Sequence, residues 1–252
     1  MPVPPPPEQA ARVLAFDTST QRLAVALAAG GALWGHNTEG GASASAGLLP
    51  QVHALCAQAG LALADLQAVA FGCGPGAFTG LRTACAVAQG LGYGLGLPLL
   101  PIDSLLIVAE DARVQADSQA PQLHVAVAMD ARMQETYAAR YLWQGGHWQV
   151  LDAPALYTLP ALAAAWLGLQ PQVLAGTALP ALAPLMPAPT ARRIEHELDR
   201  AAALLRLALH AHAAGQGIDA AQALPLYLRD KVALTTAERA AVQRAKAEAA
   251  AG

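Results

Sequence analysis

The chain has 252 residues, 55% of them hydrophobic and only 13% charged, with a formal net charge of −3. That is ample for one buried core or two compact lobes, and it lacks the basic footprint of a protein that grips RNA unaided. Three cysteines, Cys56, Cys73 and Cys85, form no CxxC pair, which argues against a disulfide framework and fits reduced thiols in a cytoplasmic protein.

Residues 1–12 are proline-rich without the apolar core of a secretion signal, and they read as a disordered leader. Strands are predicted at Val13–Asp17, Leu23–Ala29 and Ala32–His36, with Gly30-Gly31 as a hairpin turn. Leu48, Leu49, Val52, Leu55 and Ala59 recur at helical spacing, and Gly60 closes that helix. A strand at Ala68–Phe71, a helix over about residues 79–96 and a strand at Leu99–Ile102 follow. Gln89, interspersed glycines and Pro98 argue against reading this apolar stretch as a membrane span. Ser104 is the expected N-cap of the next helix. Residues 111–122 are polar and read as a boundary. Beyond it, strands at Leu123–Met129, Glu135–Trp143 and His147–Leu151 repeat the opening pattern, with Gly145-Gly146 as their turn. Helices at Leu159–Leu169 and Leu198–Ala214 and a strand at Val173–Ala175 complete the second half. The expectation is an α/β protein of two ribonuclease-H-like lobes, residues 13–110 and 111–232, with a flexible tail at 233–252.

The run from Phe71 to Arg82 (FGCGPGAFTGLR) turns a strand sharply into a helix. Such a corner presents backbone N–H groups beside a helix N-terminus, an anion site in principle, with Gly74, Gly76 and Thr79 as its candidates. It is not a Walker loop, since no Lys-Ser/Thr pair follows, and a plain strand-to-helix corner explains it equally well. Asp17 and Asp130 each end a first strand. With Thr18, Ser19 and Thr20, Asp17 would offer oxygen ligands to a hard cation, or else begin an Asx-type turn. The loop Ala131-Arg132-Met133 has neither glycines nor hydroxyls to wrap a phosphate, and Arg132 is expected to pair with Glu135 or Asp17. Seven histidines show no i, i+4 zinc pair, so no metal is expected. Cys73 has no evident base beside it. No cofactor is expected; weak nucleotide binding stays open.

Gly80, Ala84, Ala88, Gly92 and Gly96 are spaced by four along one helix face. Such a strip allows close approach, either of the protein's own sheet or of a partner helix.

Four segments carry a resemblance when taken together: Leu14–Thr20, the glycine run, Asp130–Tyr137 and Pro225–Arg229. In this order they resemble the TsaB (YeaZ) family of tRNA threonylcarbamoyladenosine biosynthesis proteins, over roughly residues 13–232. The resemblance implies the actin-like ATPase (ASKHA) fold. It implies a non-catalytic scaffold that binds a paralogous threonylcarbamoyl transferase of TsaD type, joined by a small ATPase of TsaE type. The complex would modify adenosine 37 of ANN-decoding tRNAs, with tRNA reached only through the complex and a homodimer possible. It also implies an interface on the two small-residue helices, at Leu48, Leu49, Val52, Leu55, Gly80, Ala84, Ala88 and Gly92. The competing reading is an actin-like ATPase or phosphotransferase using Asp17 and Asp130.

Overall fold

A computed structural model describes residues 11–117, 120–186 and 190–229. The first ten residues and the expected tail at 233–252 lie outside these. The chain forms strands β1 (Val13–Asp17), β2 (Arg22–Ala29) and β3 (Ala32–Glu39), then helix α1 (Ala44–Ala59), β4 (Ala68–Gly74), α2 (Phe78–Leu95), β5 (Leu99–Asp103) and α3 (Ser104–Ala116). The second half runs β6 (Gln122–Arg132), β7 (Glu135–Gln144), β8 (His147–Thr158), α4 (Leu159–Ala165), β9 (Val173–Ala175), α5 (Leu179–Leu182), β10 (Arg192–Ile194) and α6 (Arg200–Ala213).

Each half builds a five-stranded sheet, in the orders β3-β2-β1-β4-β5 and β10-β9-β6-β7-β8. In both, three strands meander antiparallel and two more join in parallel beside the first. The duplication legible in the sequence is thus a duplication of connectivity. The Gly30-Gly31 and Gly145-Gly146 turns both place two successive residues at positive φ, which matches the twist of a two-residue hairpin.

Alternation along β1 sorts side chains by size. Leu14 and Phe16 face one core with α1 and α2, while Val13 and Ala15 face another with α6. The alanine-rich face lets α6 lie close on the first sheet. Helix α3 packs instead on the second sheet, with Leu105, Val108 and Ala112 against Val125, Val127 and Tyr141. Each half therefore lends its last helix to the other half's sheet, and α3 and α6 touch in the middle. This corrects the expected boundary at 110/111, which falls inside α3, and the assignment of Leu198–Ala214 to the second lobe. Residues 111–116 of the polar stretch taken as a boundary are the end of α3, whose Glu110 and Asp111 are buried by ion pairs and hydrogen bonds. Residues 218–228 also return to the first lobe, where Ile218 bridges Leu99.

The small-residue strip is settled in the same way. Gly80, Ala84, Ala88 and Gly92 are all buried against the chain's own first lobe. A Cβ on Gly80 would lie 1.8 Å from the Thr18 carbonyl oxygen. Leu48, Val52 and Leu55 of α1 are buried in the same core. These seven positions face inward, correcting their assignment to a partner interface. Leu49, 42% exposed, is the one of the eight that faces solvent.

Candidate functional site

A cavity of about 670 Å³ opens between the lobes, lined by Ser19, Thr20, Gly76, Phe78 and Arg200 on one side and Met129, Asp130, Arg132 and Tyr137 on the other. Its size suits a small-molecule ligand. The chemistry of its floor decides what it can do.

Asp17 is fully buried beneath that floor, and its oxygens are taken. Oδ1 accepts from the Ser19 N–H (3.0 Å), the Ser19 hydroxyl (2.9 Å) and Arg200 Nε (3.0 Å). The Ser104 hydroxyl donates to Oδ2 at 3.3 Å. Arg200, itself completely buried, donates further from Nη1 to Glu197 (2.5 Å) and from Nη2 to the Ser19 hydroxyl (3.0 Å) and the Ser104 carbonyl (3.4 Å). Burial alone would lower the Arg200 pKa, but the Asp17 and Glu197 carboxylates outweigh it and hold the guanidinium charged. The Glu197 pKa is raised as well, which here favours its neutral form: burial raises it, with Asp111 and Asp17 adding repulsion that Arg200 only partly offsets. Two carboxylates, a hydroxyl and a carbonyl are donors a hard cation would want, and a guanidinium occupies them.

The other expected site residues distribute unevenly. Thr18 is buried, donating to the Gly80 carbonyl at 2.6 Å. Ser19 and Thr20 reach the cavity, as does Asp130, whereas the Asp17 carboxylate does not line it. Asp130 binds its own loop, accepting from the Arg132 N–H at 2.8 Å and pairing with the Arg132 guanidinium at 3.6 Å. Glu135 pairs instead with Arg229, so neither partner expected for Arg132 is the observed one. In the glycine corner the Gly74 N–H donates to Ser104 Oγ (3.1 Å) and the Ala77 N–H to the Ser19 carbonyl (2.7 Å). Gly76 lies against Ser19, and a Cβ on Gly72 would overlap the Asp17 carboxylate. The corner is compressed onto the Asp17 loop, with these N–H groups already bonded; Thr79 lies exposed outside the cavity lining.

Ser104 is the first residue of α3, and the N-cap is Asp103, whose Oδ1 accepts from the N–H groups of Leu105 and Leu106. Asp103 Oδ2 accepts from Tyr141 OH at 2.6 Å, tying the two lobes together. Burial, then Asp103 and Asp17, push the Cys73 thiol up to about 12, so it is no nucleophile at neutral pH. The three cysteines are free, and among the described residues no group of His, Cys, Asp and Glu could hold a metal. Arg200 and Glu197 were not read from the sequence. A signal existed for Arg200, which shares the helical phase of the buried Ala203, Leu204 and Leu207.

Outside the cleft, α1 and α2 touch and each leaves residues exposed to solvent. Leu49, Pro50, His53 and Ala57 are exposed on α1, and Arg82, Ala86, Gly90 and Tyr93 on α2. Arg82 is the only Asp, Glu, Lys or Arg in either helix.

Two duplicated lobes around a cleft define a two-lobed protein of the actin-like fold, here with a guanidinium seated on its first acidic loop. A family model described as TsaD: tRNA N6-adenosine threonylcarbamoyltransferase matches residues 42–170. The tRNA threonylcarbamoyladenosine biosynthesis protein TsaB of Escherichia coli strain K12 is 31% identical over 232 residues, covering 88% of this chain and 96% of its own. Among solved structures, YeaZ from Pseudomonas aeruginosa is 37% identical with a TM-score of 0.78, covering 86% of this chain and 100% of its own. An uncharacterized protein with similarity to peptidase YEAZ, from the same organism, is 38% identical with a TM-score of 0.77, covering 87% and 100%. The chain belongs to the TsaB (YeaZ) family. No helix of the described residues is long and apolar enough to cross a membrane.

Proposed function

We propose that this chain is a non-catalytic scaffold subunit that binds a TsaD-type threonylcarbamoyl transferase and enables N6-threonylcarbamoylation of adenosine 37 in ANN-decoding tRNAs. A TsaE-type ATPase joins the assembly, tRNA is engaged only through the complex, and the protein works in the cytoplasm. The family membership supports the pathway, since the relative's name states it. The single observation supporting the scaffold role is the outer face of α1 and α2. Two long helices in contact expose Leu49 and Tyr93, the latter 65% accessible, together with small residues such as Ala57, Ala86 and Gly90, and carry one charge. An apolar face with few charges is what a partner helix pair covers at low desolvation cost. Without the transferase the same face is available to a second copy of the chain. The ATPase reading loses support because the Asp17 carboxylate is held by Arg200.

The test combines pull-down by the transferase with tRNA modification assayed for each subunit alone and both together. Leu49→Arg places its charge in solvent in the free protein, so folding should be untouched while association and modification are lost. A Leu49→Arg variant that melts like wild type and still supports full modification would remove α1 from the interface. Modification by this chain without the transferase would overturn the scaffold role itself.

A further inference from the structure

After the turn at Ala220–Gln222 the chain runs without regular structure across the mouth of the cleft, from Ala223 to Arg229. Its first-lobe attachments are several. The Ala223 carbonyl accepts from Gln89 Nε2 at 3.0 Å and from the Cys85 thiol at 3.5 Å. The Leu226 N–H donates to the Cys73 carbonyl at 2.7 Å. Tyr227 stacks on Phe78 at 4.9 Å between ring centroids, and its hydroxyl accepts from Arg82 Nε at 3.1 Å. Among the described residues, the hydrogen bonds from this segment to the second lobe come from the Arg229 side chain. Arg229 Nη2 donates to the Ala131 carbonyl (3.0 Å) and the Arg132 carbonyl (3.5 Å) and pairs with Glu135.

What Arg229 grips is the tip of the β6–β7 hairpin. Arg132, Met133 and Gln134 all sit at positive φ there, with no glycine among them, a conformation that L residues hold only when something else fixes it. Leu226, Tyr227, Leu228 and Arg229 line the cavity together with Asp130, Ala131 and Arg132. At the base of the cleft the lobes are joined through α3 and α6, in a packed core.

We propose that residues 223–229 are a latch across the interlobe cleft, anchored on the first lobe and closed on the second by Arg229. The anchored end is held by buried and ring contacts. The catch is a partly exposed ion pair with two carbonyl contacts, the weaker and more exchangeable attachment. Opening the catch leaves the lobes joined at their base and frees the hairpin tip, which widens the cleft without unfolding either sheet.

Hydrogen exchange read by mass spectrometry on the full chain tests this through peptides covering 130–136, 226–229 and α2. Arg229→Ala should raise exchange at 130–136 and 226–229 by about tenfold or more while α2 keeps its protection. Glu135→Gln removes the ion pair with almost no change in shape and should move the same two segments in the same direction by a smaller factor. Unchanged exchange at 130–136 in either variant overturns the latch. If Arg229→Ala loses protection throughout the chain, Glu135→Gln alone decides.

Discussion

The Arg200 guanidinium is fully buried and donates only to protein oxygens, and that makes it sensitive to any loss of balance. A buried pair adds little against a well-packed apolar replacement, but a buried charge left alone is costly. Asp17→Asn should therefore destabilise the protein by about 3–5 kcal/mol in urea denaturation. The double change Asp17→Asn with Arg200→Met should cost less than the sum of the two single changes. Additive single and double effects would show that the two side chains are not coupled and that the ion pair is incidental. The sequence offers Asp17 as a candidate ligand and an Asx turn as its plain alternative. The turn is what forms, since Ser19 caps Asp17 through both its N–H and its hydroxyl.

At the scale of the element, α2 carries two kinds of glycine that look alike in the sequence. Gly80 faces inward against the Thr18 carbonyl, whereas a Cβ at Gly90 would meet nothing within 4 Å. Gly90→Ala should stabilise the isolated protein by about 1 kcal/mol, the difference in helix propensity. Gly80→Ala should destabilise it, because backbone rather than a flexible side chain blocks the methyl group. Thermal melts of the two variants give the comparison. A stabilised Gly80→Ala would mean that α2 does not lie on the Asp17 loop as described. The spacing-by-four argument found a close-packing strip and left its neighbour open between the protein's own sheet and a partner helix. The family resemblance favoured a partner helix, while Gly80, Ala84, Ala88 and Gly92 pack against the chain's own core.

For the whole molecule, the cleft has the volume for a nucleotide but its acidic loops are engaged internally. Isothermal calorimetry with Mg²⁺-ATP should show no tight binding to the isolated protein, and no measurable hydrolysis should accompany it. Low-micromolar affinity abolished by Asp130→Ala would restore the cleft as a nucleotide site and revive the ATPase reading. Because α3 and α6 are exchanged between the lobes, cutting the chain at residue 110 should not yield two folding halves; each would lack a helix that closes its core.

By itself the sequence determined most of the strands, the turns and the duplication, because these rest on local periodicity and on paired glycines whose backbone preference is intrinsic; it missed Arg192–Ile194 and ended the strand from His147 at Leu151 instead of Thr158. Val13–Asp17, Val173–Ala175 and both Gly-Gly hairpins stand where the pattern put them. The pattern also indicated that α2 needs close approach along one face. Only the tertiary structure decided what approaches it, which sheet α3 and α6 cover, and which cation meets Asp17. Those are contacts between residues far apart in the chain, 183 positions in the case of Asp17 and Arg200. A helical phase tells which side of α6 is buried, but not that an arginine on that side will find two carboxylates waiting.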